Sequence, residues 1–546
     1  MEISAETVVY VGSSEKALSG IVRQWGNYAK RRVVRYDSLE EYAHSGQGEP
    51  VLLCVAGSEI STDEEVSVLR TLADEGQAIV FCDLPEPAVL RNLPELGSLL
   101  GIQEIVQENV ELTGIKLFSG FLLGGEVIYR PTNADEEKMQ DLTLSVPWYL
   151  TLRGTKTYMV GLLEDEQIEN GELPGLIWRN SYGDARIFAV NGTYMYDQTG
   201  LGILSAILYE LREYELYPVV NAQNLSVANF PNFAPENIEA MGKIYARSLR
   251  RLQMDLIWPN LIASANKGNY QMTCFLAPRL DYTASGSQQT DDLTFYLRQF
   301  REQGAEAGLS LDHLPEVTLE EKLAADQEFF SSSNANSYSF SAAYVGNGGM
   351  EAFLAVDPQR ILRDVRTVTG NWEDADLLFY CTDTIVAQSV TADGFFHTYS
   401  QDLRVRAIET ALAYSNILLD MKRVSWPGED EPHWEVLSER YSSNINTYWN
   451  PFDAFEKATV TKSDERVRAF LAMDYADSRN GDTITVDIGH RNGDVWFLLR
   501  THSESVRSIT GGTYQQVEQG VYLICAQEDH LEIRVESDAR LIYSLS

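Results

Sequence analysis

At 546 residues the chain is too long for one ordinary core, and two to four domains are expected. Its 80 acidic residues against 43 basic ones give a formal charge of −37. That argues against nucleic acid, whose binding rests on Lys and Arg neutralising phosphates, and against an anionic membrane surface. Hydrophobic content of 44% and charged content of 23% are those of a globular protein, and no run approaches the roughly 18 apolar residues of a membrane span. The acidity leaves two readings: solubility, or a cationic partner.

Residues 1–215 alternate strand and helix. TVVYVG, RVVRY, VLLCVAG and QAIVFCD read as strands, with KALSGIVRQWGNYAK and STDEEVSVLRTLADEG as amphipathic helices between them. That rhythm predicts a parallel sheet with helices on both faces, a doubly wound domain. It resembles flavodoxin-like and glutamine-amidotransferase-like domains. Cys82 ends a strand but runs into DLPEPAV rather than a glycine-framed elbow, and His44 is the domain's sole histidine, so no cysteine triad is expected. Gly12 follows the first strand without GxGxxG or GK[ST], and reads as an ordinary turn.

Residues 216–455 read as a distorted (β/α) barrel of seven strands. Its most informative stretch is Gln271–His313. The apolar strand QMTCFLAPRLDY ends at Asp281 and Tyr282, QQTDDLTFYLRQFREQG reads as a helix, and AEAGLSLDH is a second strand ending at Asp312 and His313. Two strands joined by a helix make a parallel crossover, and polar residues past the strands' carboxyl ends line the ligand site in such sheets. TLEEKLAADQEFFSS then reads as a helix, SYSFSAAYVGN and DADLLFYCT as strands, RVRAIETALAYSNILLDMK as a helix and VSWP as a strand. From about Lys457 short alternating segments such as TITVDIG, DVWFLLR and GVYLICA predict a β-sandwich over 456–546. The five cysteines lie in or beside apolar strands, without CxxC spacing, and read as buried thiols.

Asp281 at a strand end is the candidate general base, or else a cap for the following helix or an ion-pair partner of Arg279. Asp312 and His313 are candidates for the same chemistry. Arg279, Tyr344, Asn347 and Asp383 are candidate substrate ligands at other strand ends. Glu306 faces either a wall or the site, and His397 lies in a loop that could line it. Trp372, Trp426, Trp434, Tyr441, Tyr448 and Trp449 cluster after the later strands, where rings stack on sugar faces or fill a core. Asp281 with Asp312 or Asp383 could alternatively form a glycosidase pair.

Asp281, then Gly304, Glu306 and Gly308, then Ser310, Asp312 and His313 resemble the first two motifs of NodB-type polysaccharide deacetylases. In that pattern paired aspartates supply a base and a metal ligand, and a histidine pair completes the metal site. Here Asp281 stands alone and only His313 matches a metal ligand, so no metal and no cofactor are expected. With Tyr217–Ile262 and Ser341–Asn347 added, the chain is similar to an uncharacterised bacterial family associated with Pel-type exopolysaccharide operons. That resemblance implies a deacetylase-like barrel that binds an amino-sugar polymer without metal-dependent catalysis, with an active carbohydrate deacetylase or glycoside hydrolase, or a scaffold for other membrane components of an exopolysaccharide synthase, as alternatives. MEISAETVVYVG enters a strand at once and reads as no signal peptide; composition favours the cytoplasm, and the resemblance an extracytoplasmic, membrane-anchored protein.

Overall fold

The computed structural model describes residues 6–538 except 165–166, 285, 287, 334–337, 347–348, 357–359, 373–375 and 429–430. The chain divides into two compact units: one of Met1–Val219, Thr398–Ala413 and Ala472–Ser546, the other of Val220–His397 and Tyr414–Leu471.

The first unit opens on β1 (Thr7–Val11), α1 (Ala17–Tyr28), β2 (Arg32–Tyr36), β3 (Leu52–Ala56), α2 (Asp63–Asp74) and β4 (Ile79–Asp83). These strands run parallel in the order β2-β1-β3-β4, the start of a nine-stranded sheet. β3 and β4 are buried throughout, as continuous apolar runs demand when helices cover both faces. α2 starts where Thr62 and Glu65 cap each other's backbone. Beyond β4 the strand Ala185–Val190 is still parallel, and the strands after it are antiparallel.

The second unit is built on β5 (Ala222–Ala228), β6 (Met272–Leu276), α3 (Thr290–Gln303), β7 (Glu306–Ser310), α4 (Leu319–Ser332), β8 (Ala342–Tyr344), β9 (Thr367–Gly370), β10 (Val386–Ser389), β11 (Ala392–Asp393) and β12 (Tyr414–Asp420). All run parallel, in the order β10-β9-β8-β7-β6-β5-β12-β11. β10 and β11 are successive pieces of one run. Val390 N still bonds to Gly370 O beside β9, whereas Thr391 N bonds to Asn416 O on β12. The run therefore touches both ends of the sheet and curls it into a barrel-like form. Two helices follow, α5 (Trp434–Trp449) and α6 (Val460–Ala472).

Four elements differ from the sequence reading, the first being α6, a helix within the 456–546 stretch read as all β. The helix expected to run to Lys422 stops at Leu412, because Ala413 takes a left-handed φ of 47°, and Tyr414–Asp420 becomes strand β12. VSWP is not a strand; Lys422–Ser425 forms one helical turn. The strand in DADLLFYCT, Leu378–Tyr380, is antiparallel to β10, so its end faces away from the ends of the parallel strands.

After α6, seven strands between Asp474 and Ser537 join Tyr214–Val219 to form two four-stranded antiparallel sheets of the first unit. Among the described residues no helix is long and apolar enough to cross a membrane. Cys54, Cys82, Cys274 and Cys525 are buried and Cys381 half-buried, all as free thiols.

Candidate functional site

Polar residues gather where β5, β7, β8, β11 and β12 end. Asn229, the first residue past β5, is 1% exposed and takes a left-handed φ of 59°. Its side chain cannot be left unpaired at that depth. Asn229 Oδ1 accepts from Ser310 Oγ at 2.7 Å, while Nδ2 donates to Asp312 Oδ2 at 3.1 Å and to Asp420 Oδ1 at 2.8 Å. One amide nitrogen thus holds two carboxylates from strands on either side. Lys422 Nζ faces both Asp312 oxygens, at 3.2 and 3.3 Å.

Asp420 also accepts from Lys422 N at 2.9 Å. Burial pushes its carboxyl up to about 6, with the nearby Asp312 charge adding to the lift and the Asn229 bond opposing it. Tyr344, 2% exposed at the end of β8, packs on Phe275 and has Asp420, Asp312, Arg423 and Asp393 as its charged neighbours; burial first, then those carboxylates, pushes its hydroxyl well up. Asp393 closes the group, paired with Arg423 at 3.1 Å and pushed up by burial.

The residues singled out in the sequence separate into two groups. Asp312 and Tyr344 belong to this cluster, and His313 adjoins it, its Nδ1 2.8 Å from the Leu314 carbonyl. Asp281 does not join. Its Oδ1 accepts from Thr283 Oγ1, Thr283 N and Ala284 N, which hold the carboxyl below the usual range, with the Thr283 hydroxyl contributing most. Arg279 shapes the same loop, donating to the carbonyls of Ala284 and Gly286. Asp281 therefore closes the turn that follows it; the helix expected to carry its cap, α3, has Gln289 at its N-terminal cap with no side-chain bond to the backbone, and Arg279 bonds to the loop carbonyls instead. Asp383 is exposed in the hairpin that enters β10, at the opposite end of the sheet, because its strand is antiparallel. Asn347 lies outside the described residues.

The aromatic cluster is mostly core. Trp434, Tyr441, Tyr448 and Trp449 are each at most 2% exposed, and Trp449 Nε1 donates to Ser415 Oγ near the start of β12. Trp434, Tyr441, Ile445 and Tyr448 recur at helical spacing along α5, a buried stripe rather than a sugar platform. Trp372 and Trp426 stay partly exposed, and the half-buried His397 packs on Tyr448. Gly304 merely ends α3, and Gly308 gives way to Phe275. Glu306 sits at the far end of the barrel, accepting from Thr273 Oγ1 and from Thr461 N and Oγ1, and so fastens α6 beneath the sheet.

Sequence reading missed Asn229, Asp393, Asp420, Lys422 and Arg423. It missed Glu236 as well, a buried carboxylate pushed up by its burial, which accepts from Leu280 N and Asp281 N at 2.7 Å each and fixes the loop after β6. The available signal was NILLDMK, an apolar strand ending in an acid and a lysine.

The donor set does not fit the deacetylase metal. Asp312 is taken up by Lys422 and Asn229, Asp281 by its own loop, and among the described residues no group of three or more His, Cys, Asp or Glu is placed to hold an ion. The positive charge beside Asp312 is an ammonium.

No family model and no curated protein matches the chain. Solved structures do resemble it. The carbohydrate deacetylase Agd3 is 8% identical with a TM-score of 0.49, over 98% of this chain and 99% of its own. A structure described as a polysaccharide deacetylase from Mycobacterium smegmatis is 14% identical with a TM-score of 0.28, over 45% of this chain and 91% of its own. A ThuA-like protein from Bacteroides uniformis is 11% identical with a TM-score of 0.26, over 39% of this chain and 94% of its own.

Proposed function

We propose that the barrel mouth binds an amino-sugar polysaccharide, and that the protein serves extracytoplasmic exopolysaccharide assembly. The observation that carries the binding role is the pair Asp312 and Asp420 held side by side by Asn229. With Asp393 they put three carboxylates around Tyr344, against the cations of Lys422 and Arg423. Like charges packed this way are costly, and a protonated sugar amine relieves the cost. The sugar hydroxyls meet the half-buried Asp312, Asp393 and Asp420, while the buried Asn229 and Tyr344 lie behind them, Asn229 holding Asp312 and Asp420 in place. The role in exopolysaccharide assembly rests on the family resemblance of the sequence.

A second reading, metal-independent hydrolysis of the glycosidic bond, is favoured by one observation: Asp420 holds its proton to about 6, while the neighbouring Asp312 is ion-paired with Lys422. An acid and a base separated in this way are what glycosidases use. Both oxygens lie within hydrogen-bond length of one nitrogen, at 3.1 and 2.8 Å, which is closer than the about 6.5–9.5 Å that inverting enzymes leave for water. Asp420→Asn separates the readings. Calorimetry with a deacetylated amino-sugar oligomer should show about 10-fold or more weaker binding, the loss of a charged hydrogen bond of about 1.5–3 kcal/mol. Reducing-end release that is present in the wild type and falls about 10²–10⁴-fold in the variant establishes hydrolysis. Unchanged affinity in the variant refutes the mouth as the binding site.

A further inference from the structure

The first unit carries a second cluster of reactive groups. In the order β2-β1-β3-β4 the connections leave β1 and β3 in opposite directions, which opens a crevice at their carboxyl ends, where doubly wound sheets bind ligands. Two glycines let the loops meet there. A Cβ on Gly12, whose φ is 150°, would lie 2.7 Å from Ala56 Cβ, and one on Gly57 would lie 2.2 Å from the Asp83 carbonyl oxygen. Between them stands Ser58, exposed on a tight turn straight after β3.

Ser58 Oγ accepts from Lys16 Nζ at 2.7 Å and donates to Asp83 Oδ2 at 2.5 Å. Asp83 is 5% exposed and is oriented by Ser58 N at 2.9 Å and by Tyr196 Oη at 2.7 Å. An ammonium on one side and a buried, oriented carboxylate on the other are the two partners an activated hydroxyl needs. Lys16 Nζ and Ser13 N also converge on a carboxylate, that of Glu59, at 3.3 and 3.1 Å. They already hold an oxyanion. A further donor is spare: Tyr10, 1% exposed, has no hydrogen-bond partner for its hydroxyl, which lies 2.8 Å from where a Cβ on Gly12 would stand and feels both Glu59 and Asp83.

We propose that Ser58 is the nucleophile of an acyl-ester hydrolase site at this crevice, with Asp83 as its base and Glu59 occupying the oxyanion position until substrate displaces it. Ser58 Oγ bonds to the carbonyl carbon of a short acyl ester while its proton passes to Asp83 Oδ2. The carbonyl π pair moves to oxygen, facing Lys16 Nζ and Ser13 N–H. The oxyanion collapses, the C–O bond to the alcohol breaks, and Asp83 returns the proton to that oxygen. Water then attacks the acyl-serine by the same route, Asp83 taking its proton and giving it to Ser58 Oγ as the acid leaves.

The test uses the full chain, a fluorophosphonate probe and p-nitrophenyl acetate. Attack on the probe forms Oγ–P and expels fluoride, leaving an adduct that peptide mass spectrometry locates. The adduct is expected on Ser58 in the wild type. It should form at least about 10-fold faster in Glu59→Ala, where the oxyanion donors are released, and about 10²–10⁴-fold slower in Asp83→Asn. Acetate release should follow the same order. No adduct on Ser58 in either the wild type or Glu59→Ala overturns the proposal, as does an unchanged labelling rate in Asp83→Asn. Site mapping on the wild type needs no variant to fold.

Discussion

Asp420→Asn should stabilise the protein at neutral pH, and by an amount that depends on pH. Burial lifts the Asp420 carboxyl from 3.8 to about 6 in the folded state. Between those values the native chain binds a proton that the unfolded chain has released, so stability falls as pH rises through this window. At about 1.36 kcal/mol per pH unit the lift amounts to about 3 kcal/mol of stability that is present below 3.8 and gone above 6. Asparagine has no charge to bury. Its carbonyl can still accept from Asn229 Nδ2 and Lys422 N, the two donors that reach Asp420 Oδ1. The variant should therefore exceed the wild type by up to about 3 kcal/mol at pH 7, and the two should converge near pH 4. Urea titrations at half-unit steps from pH 4 to 8, followed by tryptophan fluorescence, measure the difference. A gap that stays constant across that range would refute the burial of Asp420's charge, and with it the idea that the mouth sacrifices stability for binding.

Lys422→Met removes the ammonium facing Asp312, so the affinity for a cationic amino-sugar oligomer should rise several-fold at low salt while that for the N-acetylated form stays put; parallel calorimetry on both oligomers checks it. Glu306→Gln loosens the attachment of α6 to β6 and β7 and should cost about 1–3 kcal/mol in urea without altering glycan affinity. Trp434→Ala should cost about 3–5 kcal/mol, because the ring is core, and a loss of glycan binding in protein that is still folded would contradict that placement. Arg31→Met breaks the buried pair with Glu215, at 2.6 Å, and should cost about 3–5 kcal/mol, read as a lowered unfolding midpoint.

The parallel strands of both units were legible because their signal is local: continuous apolar runs such as LLCVA and MTCFL, with amphipathic helices between them. Half of the site was hidden by one boundary. The periodicity of RVRAIETAL carries on smoothly into AYSNILL, and only the left-handed turn at Ala413, at a residue with no intrinsic preference for it, divides helix from strand. With that strand read as helix, Asp420 and Lys422 could not be placed at a barrel end. Asp383 misled for a different reason, since strand direction is a property of pairing and no residue in DADLLFYCT encodes it. Asp281 illustrates a third limit. An acid after a strand serves equally as a base, a helix cap or a turn-former, and here Thr283 and Ala284, which offer it three donors, make it the last.

The first unit is assembled from both ends of the chain, and this governs how it can be made. Tyr214–Val219 pairs along its whole length with Val495–Thr501. On the ribosome that partner emerges long after the N-terminal sheet, once both barrel segments, Val220–His397 and Tyr414–Leu471, have been translated. The growing polypeptide must carry an apolar strand edge in the meantime, a template for aberrant pairing. Closing so long a loop is slow, and the barrel has time to fold first. Loss of the last sheet should therefore show itself as aggregation during synthesis, even where the barrel, already folded, still has its mouth intact.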